Sequence, residues 1–141
     1  MSKRIKELFL FDILIAVLKI EEHAKRYKSA YQLKLAYHDW DFIIRQFEII
    51  GESTNKLIKY SYFSDDKREI VDFRNVLIHE YFGIDHEEVW DIIKNHLPKF
   101  KNEILAKINE LDYELKERLI NSLLKEYEHI SFVKDALIAL K

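Results

Sequence analysis

The sequence contains no cysteine, two glycines and one proline among its 141 residues. Without cysteine, the chain forms no disulfide and has no thiolate chemistry. Glycine and proline lie far below their average usage of roughly 7% and 5%, and tight chain reversals depend on both residue types. These shortages argue against an all-β fold. Because 34% of the residues are charged and 48% are hydrophobic, the composition predicts an all-α protein of amphipathic helices.

The chain also lacks an excess of charge and an uninterrupted apolar run. Its formal net charge is −2, so no global positive field would hold it on nucleic acid, and any such role needs a local patch or a partner. Charged residues interrupt the apolar N-terminal stretch, and no small-residue cleavage site follows it. That stretch therefore indicates a core helix rather than a signal peptide or membrane span. We expect a cytoplasmic protein that makes no membrane contact.

The spacing of apolar residues predicts an antiparallel four-helix bundle. The predicted long helices cover residues 3–27, 39–63, 64–82 and 86–111, and residues 28–40 are expected to turn the chain. Ser64 and Asp85 are predicted to cap the third and fourth helices, and Gly83 to end the third helix in a left-handed conformation. Gly51 predicts a close helix–helix approach or a bend, and Pro98 a kink.

Residues 1–111 are predicted to form the bundle domain, with residues 112–141 as a C-terminal helical extension packed on the same domain. One helix of this extension is expected to end near His129 and a short one to begin at Ser131. The extension either enlarges a dimer interface or covers the bundle.

The segment 72–85, DFRNVLIHEYFGID, places Arg74 and His79 five residues apart. A helix advances about 100° per residue, so these side chains point about 140° apart. Arg74 would share a face with Ile78 and Tyr81, while His79 points elsewhere. One undistorted helix therefore cannot present both groups to a small target without help. Either the long arginine side chain reaches round the helix end, or a second helix, such as the same helix of a two-fold dimer, completes the site.

Arginine and histidine together supply the chemistry of RNA cleavage. A guanidinium binds phosphate through two parallel donors and is permanently charged, and an imidazole exchanges protons near neutral pH. His79 would activate the ribose 2′-hydroxyl or protonate the leaving oxygen, while Arg74 would stabilise the phosphorane charge. Asn75 would orient the ring or hold the substrate. The same residues are also compatible with the C-terminal end of an ordinary surface helix.

Two motifs give the chain a resemblance to the HEPN superfamily, in its HepT-like toxin branch. In FRNVLIHEYFGIDHEEVW, the signature residues of that branch match Arg74, Asn75, His79 and Tyr81. In DFIIRQFEIIGES, a second-helix motif matches at positions that include Arg45, Gly51 and Glu52, although Ser53 stands where the branch usually has alanine. The resemblance covers about residues 5–110.

The resemblance implies an all-helical homodimer whose Arg74 and His79 line a shared cleft and act as a metal-independent endoribonuclease toxin. It also implies a cognate MntA-type nucleotidyltransferase antitoxin that transfers AMP to Tyr81, adding negative charge near Arg74. Arg45 and Glu52, seven residues apart on one helix face, are predicted to form a buried polar pair supporting the cleft or to bind substrate.

The tryptophans and the histidines other than His79 are expected to have structural roles. The six histidines show no pair at a spacing of three or four, so we expect neither a metal site nor a cofactor. Trp40 and Trp90 are expected to be core or interface anchors. A different class of function also remains open, namely a non-catalytic helical subunit that binds substrate for, or scaffolds, a nucleotidyltransferase. Retention of the full Arg-to-His motif favours the enzyme.

Overall fold

The computed structural model describes residues 4–141, and every regular element in that range is helical, which confirms the all-α prediction. The elements are α1 (Leu8–Ala24), α2 (Ala30–Leu35), α3 (Tyr37–Lys59), α4 (Arg68–His79), α5 (His86–Asp91), α6 (Leu97–Asn109), α7 (Tyr113–Tyr127) and α8 (Ser131–Ala139). The start predicted at Lys3 lies outside the described residues. Of the described helices, none is both long and apolar enough to cross a membrane.

The first helix, α1, is the centre of the bundle. It packs against α3, α6 and α8, and its most deeply buried side chains cover about half of the helix circumference: Leu10, Phe11, Ile13, Leu14, Val17 and Ile20. Burying one such side chain stabilises the fold by about 1.5–3 kcal/mol relative to exposing it. The apolar N-terminal stretch is therefore a core helix, as its sequence predicts.

The third helix ends in a Schellman motif without glycine. Ser61 has a φ of 63°, its N–H donates to the Ile58 carbonyl at 3.0 Å, and the Tyr62 N–H donates to the Leu57 carbonyl at 2.9 Å. These bonds satisfy the last carbonyls of α3. A serine in this left-handed conformation is sterically unfavourable, and the tertiary fold maintains it.

The fourth helix departs from the prediction at both ends. Ser64 does not cap it, because its hydroxyl donates to the Asp66 carboxylate and α4 begins only at Arg68, after a 3₁₀ turn over Asp65–Lys67. The prediction that Gly83 ends the helix in a left-handed conformation is wrong. The α-helix already ends at His79, and Gly83 closes a 3₁₀ turn by donating its N–H to the Glu80 carbonyl at 2.8 Å.

The interruption expected before Pro98 is present as a π turn over Ile92–His96 between α5 and α6. The Leu97 N–H bonds to the carbonyl five residues earlier, at Ile92, which leaves room for the proline at the start of α6. Asp85 caps α5 as predicted, accepting from the Glu87 N–H at 2.9 Å.

The C-terminal helices α7 and α8 pack on each other, and α8 also packs on α1. Their buried side chains join the same hydrophobic cluster as the rest of the chain: Leu119, Ile120, Leu123, Val133 and Leu137. This packing covers part of α1, while α3 and α4 carry the candidate site.

Candidate functional site

The candidate site lies where α3 and α4 run antiparallel beside each other. Two side-chain contacts define the pairing, one between Glu52 and Arg74 and the other between Asp41 and Tyr81. Residue numbers fall from 52 to 41 along α3 as they rise from 74, in α4, to 81, in the turn that follows α4. The Arg-to-His motif is therefore held against a single neighbouring helix.

Arg74 is held in place from three sides. One terminal nitrogen, Nη2, contacts Glu52 Oε1 at 3.2 Å, and the other, Nη1, donates to Asn75 Oδ1 at 3.0 Å. The stem of the side chain lies against Gly51, where an added Cβ would come 2.2 Å from Arg74 Cβ. The side chain remains 29% exposed. A guanidinium so fixed and still open to solvent can bind a phosphate without first being ordered.

One donor of Arg74 is unused. Its Nε is buried and has no hydrogen-bond partner among the described residues. Leaving a buried donor unpaired costs free energy. The Arg74 site therefore has one unsatisfied donor beside two terminal nitrogens that are already hydrogen-bonded. Glu52 offers one carboxylate, on a side chain that is itself 49% exposed.

His79 is the last residue of α4 and is exposed. In the described part of the chain, no hydrogen bond or ion pair joins it to Arg74 or to Asn75. Because α4 is a regular helix between positions 74 and 79, the two side chains remain about 140° apart. A single copy of this chain therefore does not bring the guanidinium and the imidazole together.

Tyr81 does not share a helix face with Arg74, because α4 has already ended. It lies in the 3₁₀ turn Tyr81–Gly83, and its hydroxyl donates to the Asp41 carboxylate in the first turns of α3. This hydrogen bond raises the pKa of the Tyr81 phenol above its usual value. The neighbouring Phe82 packs edge-to-face on the Tyr81 ring and is 97% exposed.

The predicted buried pair between Arg45 and Glu52 does not form. Arg45 is exposed and pairs with Glu48 at 3.2 Å, whereas Glu52 pairs with Arg74. Arg45 and Glu52 share one face of α3, but they are seven residues apart, which is two turns and about 10 Å along the helix axis. Each side chain has a nearer partner.

Four charged residues of α3 form a ridge at spacings of four, three and four, exposed except at the half-buried Glu48: Asp41, Arg45, Glu48 and Glu52. Its two ends contact Tyr81 and Arg74. Arg45 therefore lies between the two cross-helix contacts and is a second cation beside the motif helix. Sequence reasoning missed Asp41 altogether, since its role depends on the α3–α4 register.

No three histidine, aspartate or glutamate side chains of the described residues are grouped so that they could hold a metal ion. The carboxylates that flank His79 in the sequence, those of Asp72 and Asp85, lie on the surface. Asp85 is occupied with capping α5.

Comparison with known proteins identifies relatives of this sequence. A family model described as ribonuclease HepT-like matches residues 13–106. A protein of Methanocaldococcus jannaschii, named as a putative RNase, is 37% identical over 109 residues, covering 74% of this chain and 97% of the relative. A protein of Thermococcus cleftensis, named as a probable ribonuclease HepT, is 31% identical and covers 72% of this chain and 94% of its own length.

A further relative from M. jannaschii joins two functions in its name, a gamma-glutamylcyclotransferase and a putative RNase. It is 35% identical over 115 residues, which cover 79% of this chain but only 51% of that longer protein. No solved structure matches the chain. The matched region, residues 13–106, contains all the side chains described above and ends before α7.

Proposed function

This chain belongs to the ribonuclease HepT-like family of the HEPN superfamily, and on that premise we propose that it is a metal-independent endoribonuclease using Arg74 and His79. The observation that supports this most directly is the fixation of Arg74. Glu52, Asn75 and Gly51 hold its guanidinium at the surface, which suits a group that must receive a phosphate.

The proposed reaction is an internal transesterification. His79 takes the proton of a ribose 2′-hydroxyl, the 2′ oxygen bonds to phosphorus, and the bond from phosphorus to the 5′ oxygen breaks. The leaving oxygen receives a proton, so the products are a cyclic phosphate and a 5′-hydroxyl end. Arg74 stabilises the extra negative charge of the phosphorane, and Arg45 holds a neighbouring phosphate of the strand.

The active unit is proposed to be a homodimer. Within one copy, α4 directs Arg74 and His79 about 140° apart, so a two-fold pairing of α4 helices is the simplest way to surround one phosphate with both groups. The apolar side chains left exposed along and after α4 support such a contact: Val76, Ile78, Tyr81 and Phe82. The second copy of His79 would then supply the general acid.

We further propose that the nuclease is a toxin controlled by AMP transfer to Tyr81 from a nucleotidyltransferase antitoxin. The Tyr81 oxygen would bond to the α-phosphorus of ATP while pyrophosphate leaves, and the phenol proton would pass to Asp41, whose carboxylate already accepts it in a hydrogen bond. The added phosphate and nucleoside would occupy the end of the α4 surface. The resulting charge would compete with RNA for Arg45.

Cleavage by purified protein tests the nuclease. Wild type should cut RNA in the presence of a metal chelator, while Arg74→Ala and His79→Ala should each reduce the rate by about 100-fold or more with unchanged circular dichroism. Arg74→Lys should not restore the rate, because lysine lacks the bidentate fork. Intact RNA with wild type, or equal cutting by both alanine variants, would overturn the assignment and favour the helical-subunit alternative.

Mass spectrometry tests the modification. Incubation with the partner nucleotidyltransferase and ATP should add AMP to Tyr81 and not to Tyr37, which is more exposed at 65% against 38%. Tyr81→Phe should abolish the adduct and leave cleavage active in the presence of the partner. An adduct distributed according to exposure alone would contradict a specific role for Tyr81.

A further inference from the structure

Residues 23–38, from the end of α1 to the start of α3, form a segment that contains no aspartate or glutamate. We call it the basic–aromatic segment. In a chain of net charge −2 it gathers four cations and three tyrosines: Lys25, Arg26, Lys28, Lys34, Tyr27, Tyr31 and Tyr37. The net charge of the segment is therefore positive, whereas that of the whole chain is negative. A nucleic-acid role requires a local positive patch of this kind.

The large side chains of this segment are exposed to an unusual degree. Tyr31, Leu35 and Tyr37 are 60%, 62% and 65% exposed. The Tyr37 ring also stacks on His38, with ring centroids 4.1 Å apart. Each of these three side chains, which lie within seven residues, is more than half exposed, so their surfaces are available to a ligand.

Most cations of the segment are not engaged in strong ion pairs. Lys28 and Lys34 have no carboxylate partner in the described part of the chain, and the Lys34 ammonium lies 4.7 Å from the centroid of the Trp40 ring. Lys25 pairs with Glu22 on the surface at 2.9 Å, while Arg26 approaches Asp39 at 3.6 Å. The surface Lys25–Glu22 pair contributes little to stability, so Lys25 can also bind phosphate, whereas Arg26 approaches a carboxylate that is only 15% exposed.

The basic–aromatic segment lies next to the end of α4. Its helix α2 packs against α5, and the Tyr31 ring contacts the ring of His86, the first residue of α5, at 6.2 Å. Six residues, Glu80 to Asp85, separate α5 from His79 along the chain. The acidic residues Glu87 and Glu88 of α5 form no ion pair with this segment in the described structure.

We propose that the basic–aromatic segment binds single-stranded RNA beyond the scissile phosphate, with phosphates on Lys28 and Lys34 and bases stacked on Tyr31 and Tyr37. Alternating cations and exposed rings match the phosphate and base repeat of an unpaired strand. Charge complementarity favours RNA over a protein partner, because the segment has four cations and no carboxylate, whereas an apolar docking face needs no such excess of positive charge. The inference rests on the proposed nuclease function and assigns its substrate path.

Binding and cleavage can be measured separately. In a His79→Ala background, a labelled unstructured single-stranded RNA is titrated at several salt concentrations. Tyr31→Ala with Tyr37→Ala should raise Kd about tenfold or more, and Lys28→Gln with Lys34→Gln should reduce the slope of log K against log salt by about 1.4. The control, Tyr113→Ala with Lys125→Gln on α7, changes an equally exposed tyrosine and lysine and should leave both values unchanged.

A second measurement uses the active protein. The same segment variants should slow cleavage of the long RNA but not of a dinucleotide, which is too short to reach the segment. Unchanged Kd and salt slope, or a change in self-association instead of RNA binding, would overturn the inference. If wild type cuts neither substrate yet binds RNA through the segment, the nuclease proposal fails and the binding site stands.

Discussion

Gly51 of α3 and Arg74 of α4 approach so closely that a Cβ at position 51 would lie 2.2 Å from Arg74 Cβ and 2.5 Å from Arg74 Cγ. Both atoms belong to the part of the arginine nearest its backbone, which cannot swing away. The glycine therefore sets the separation of the two helices at the level of the candidate site.

Gly51→Ala should reduce both stability and RNA cleavage. Alanine would gain about 1 kcal/mol in helix propensity, but the forced separation of α3 and α4 should cost about 1–3 kcal/mol and displace Arg74. Urea denaturation and cleavage assays measure the two effects. Gly83→Ala is the matched control, because a Cβ there meets nothing within 4 Å and should change neither; a fully active Gly51→Ala would show that the close approach does not serve the site.

Glu52→Gln should lower kcat and KM together. The carboxylate competes with phosphate for Arg74 Nη2 but also fixes the guanidinium, so its loss should favour substrate binding and loosen the arginine. We expect a reduction of kcat of about tenfold, within the range for a misplaced catalytic group. Glu48→Gln removes a carboxylate of the same ridge that pairs with Arg45 instead, and it should leave kcat unchanged. An equal fall in both variants would indicate a general charge effect.

Asp39→Asn should destabilise the protein at neutral pH and less so in acid. Burial raises the pKa of Asp39, but hydrogen bonds from Tyr27 and His23 outweigh it and hold the pKa below its usual value. The ionised group therefore contributes stability above the unfolded pKa of about 3.9, and the contribution is lost as the pH falls through the lower folded pKa. The difference from wild type should be about 1–2 kcal/mol at neutral pH.

Chemical denaturation at a series of pH values measures this dependence. Asp135→Asn, which changes an exposed carboxylate on α8, should match wild type throughout. A wild-type advantage over Asp39→Asn that grows as the pH falls below 4 would contradict the lowered pKa.

Ser61→Gly should stabilise the fold. Serine at this position has a φ of 63°, a conformation that costs a non-glycine residue roughly 1–2 kcal/mol, while the more flexible unfolded chain of the glycine variant offsets part of the gain. The expected net effect is a rise in Tm of a few degrees, with cleavage unchanged. Ser64→Gly, at a φ of −81°, should lower Tm or leave it unchanged, and equal shifts in both variants would remove the conformational explanation.

Local sequence rules predict much of the secondary structure, because helix periodicity and capping depend on residues that are neighbours along the chain. Helical apolar spacing identified α1, α3, α4, α6 and α7, the Asp85 carboxylate caps α5 as its position predicts, and Pro98 is preceded by a π turn. The two motifs also identified the family that the comparison confirms. By contrast, the sequence predicts that Gly83 ends α4, whereas the helix ends at His79.

The partners of the site residues were decided only by the tertiary structure. Which carboxylate meets Arg74, and that Asp41 meets Tyr81, depend on the axial register between α3 and α4. Gly51 sets that register through close packing with Arg74. These residues are 23 positions apart, so the spacing of residues within one helix does not predict their contact. The sequence by itself determined the helices and the family; the packing of two of those helices determined which charges face each other, because side-chain electrostatics act over a few ångströms in space rather than along the chain.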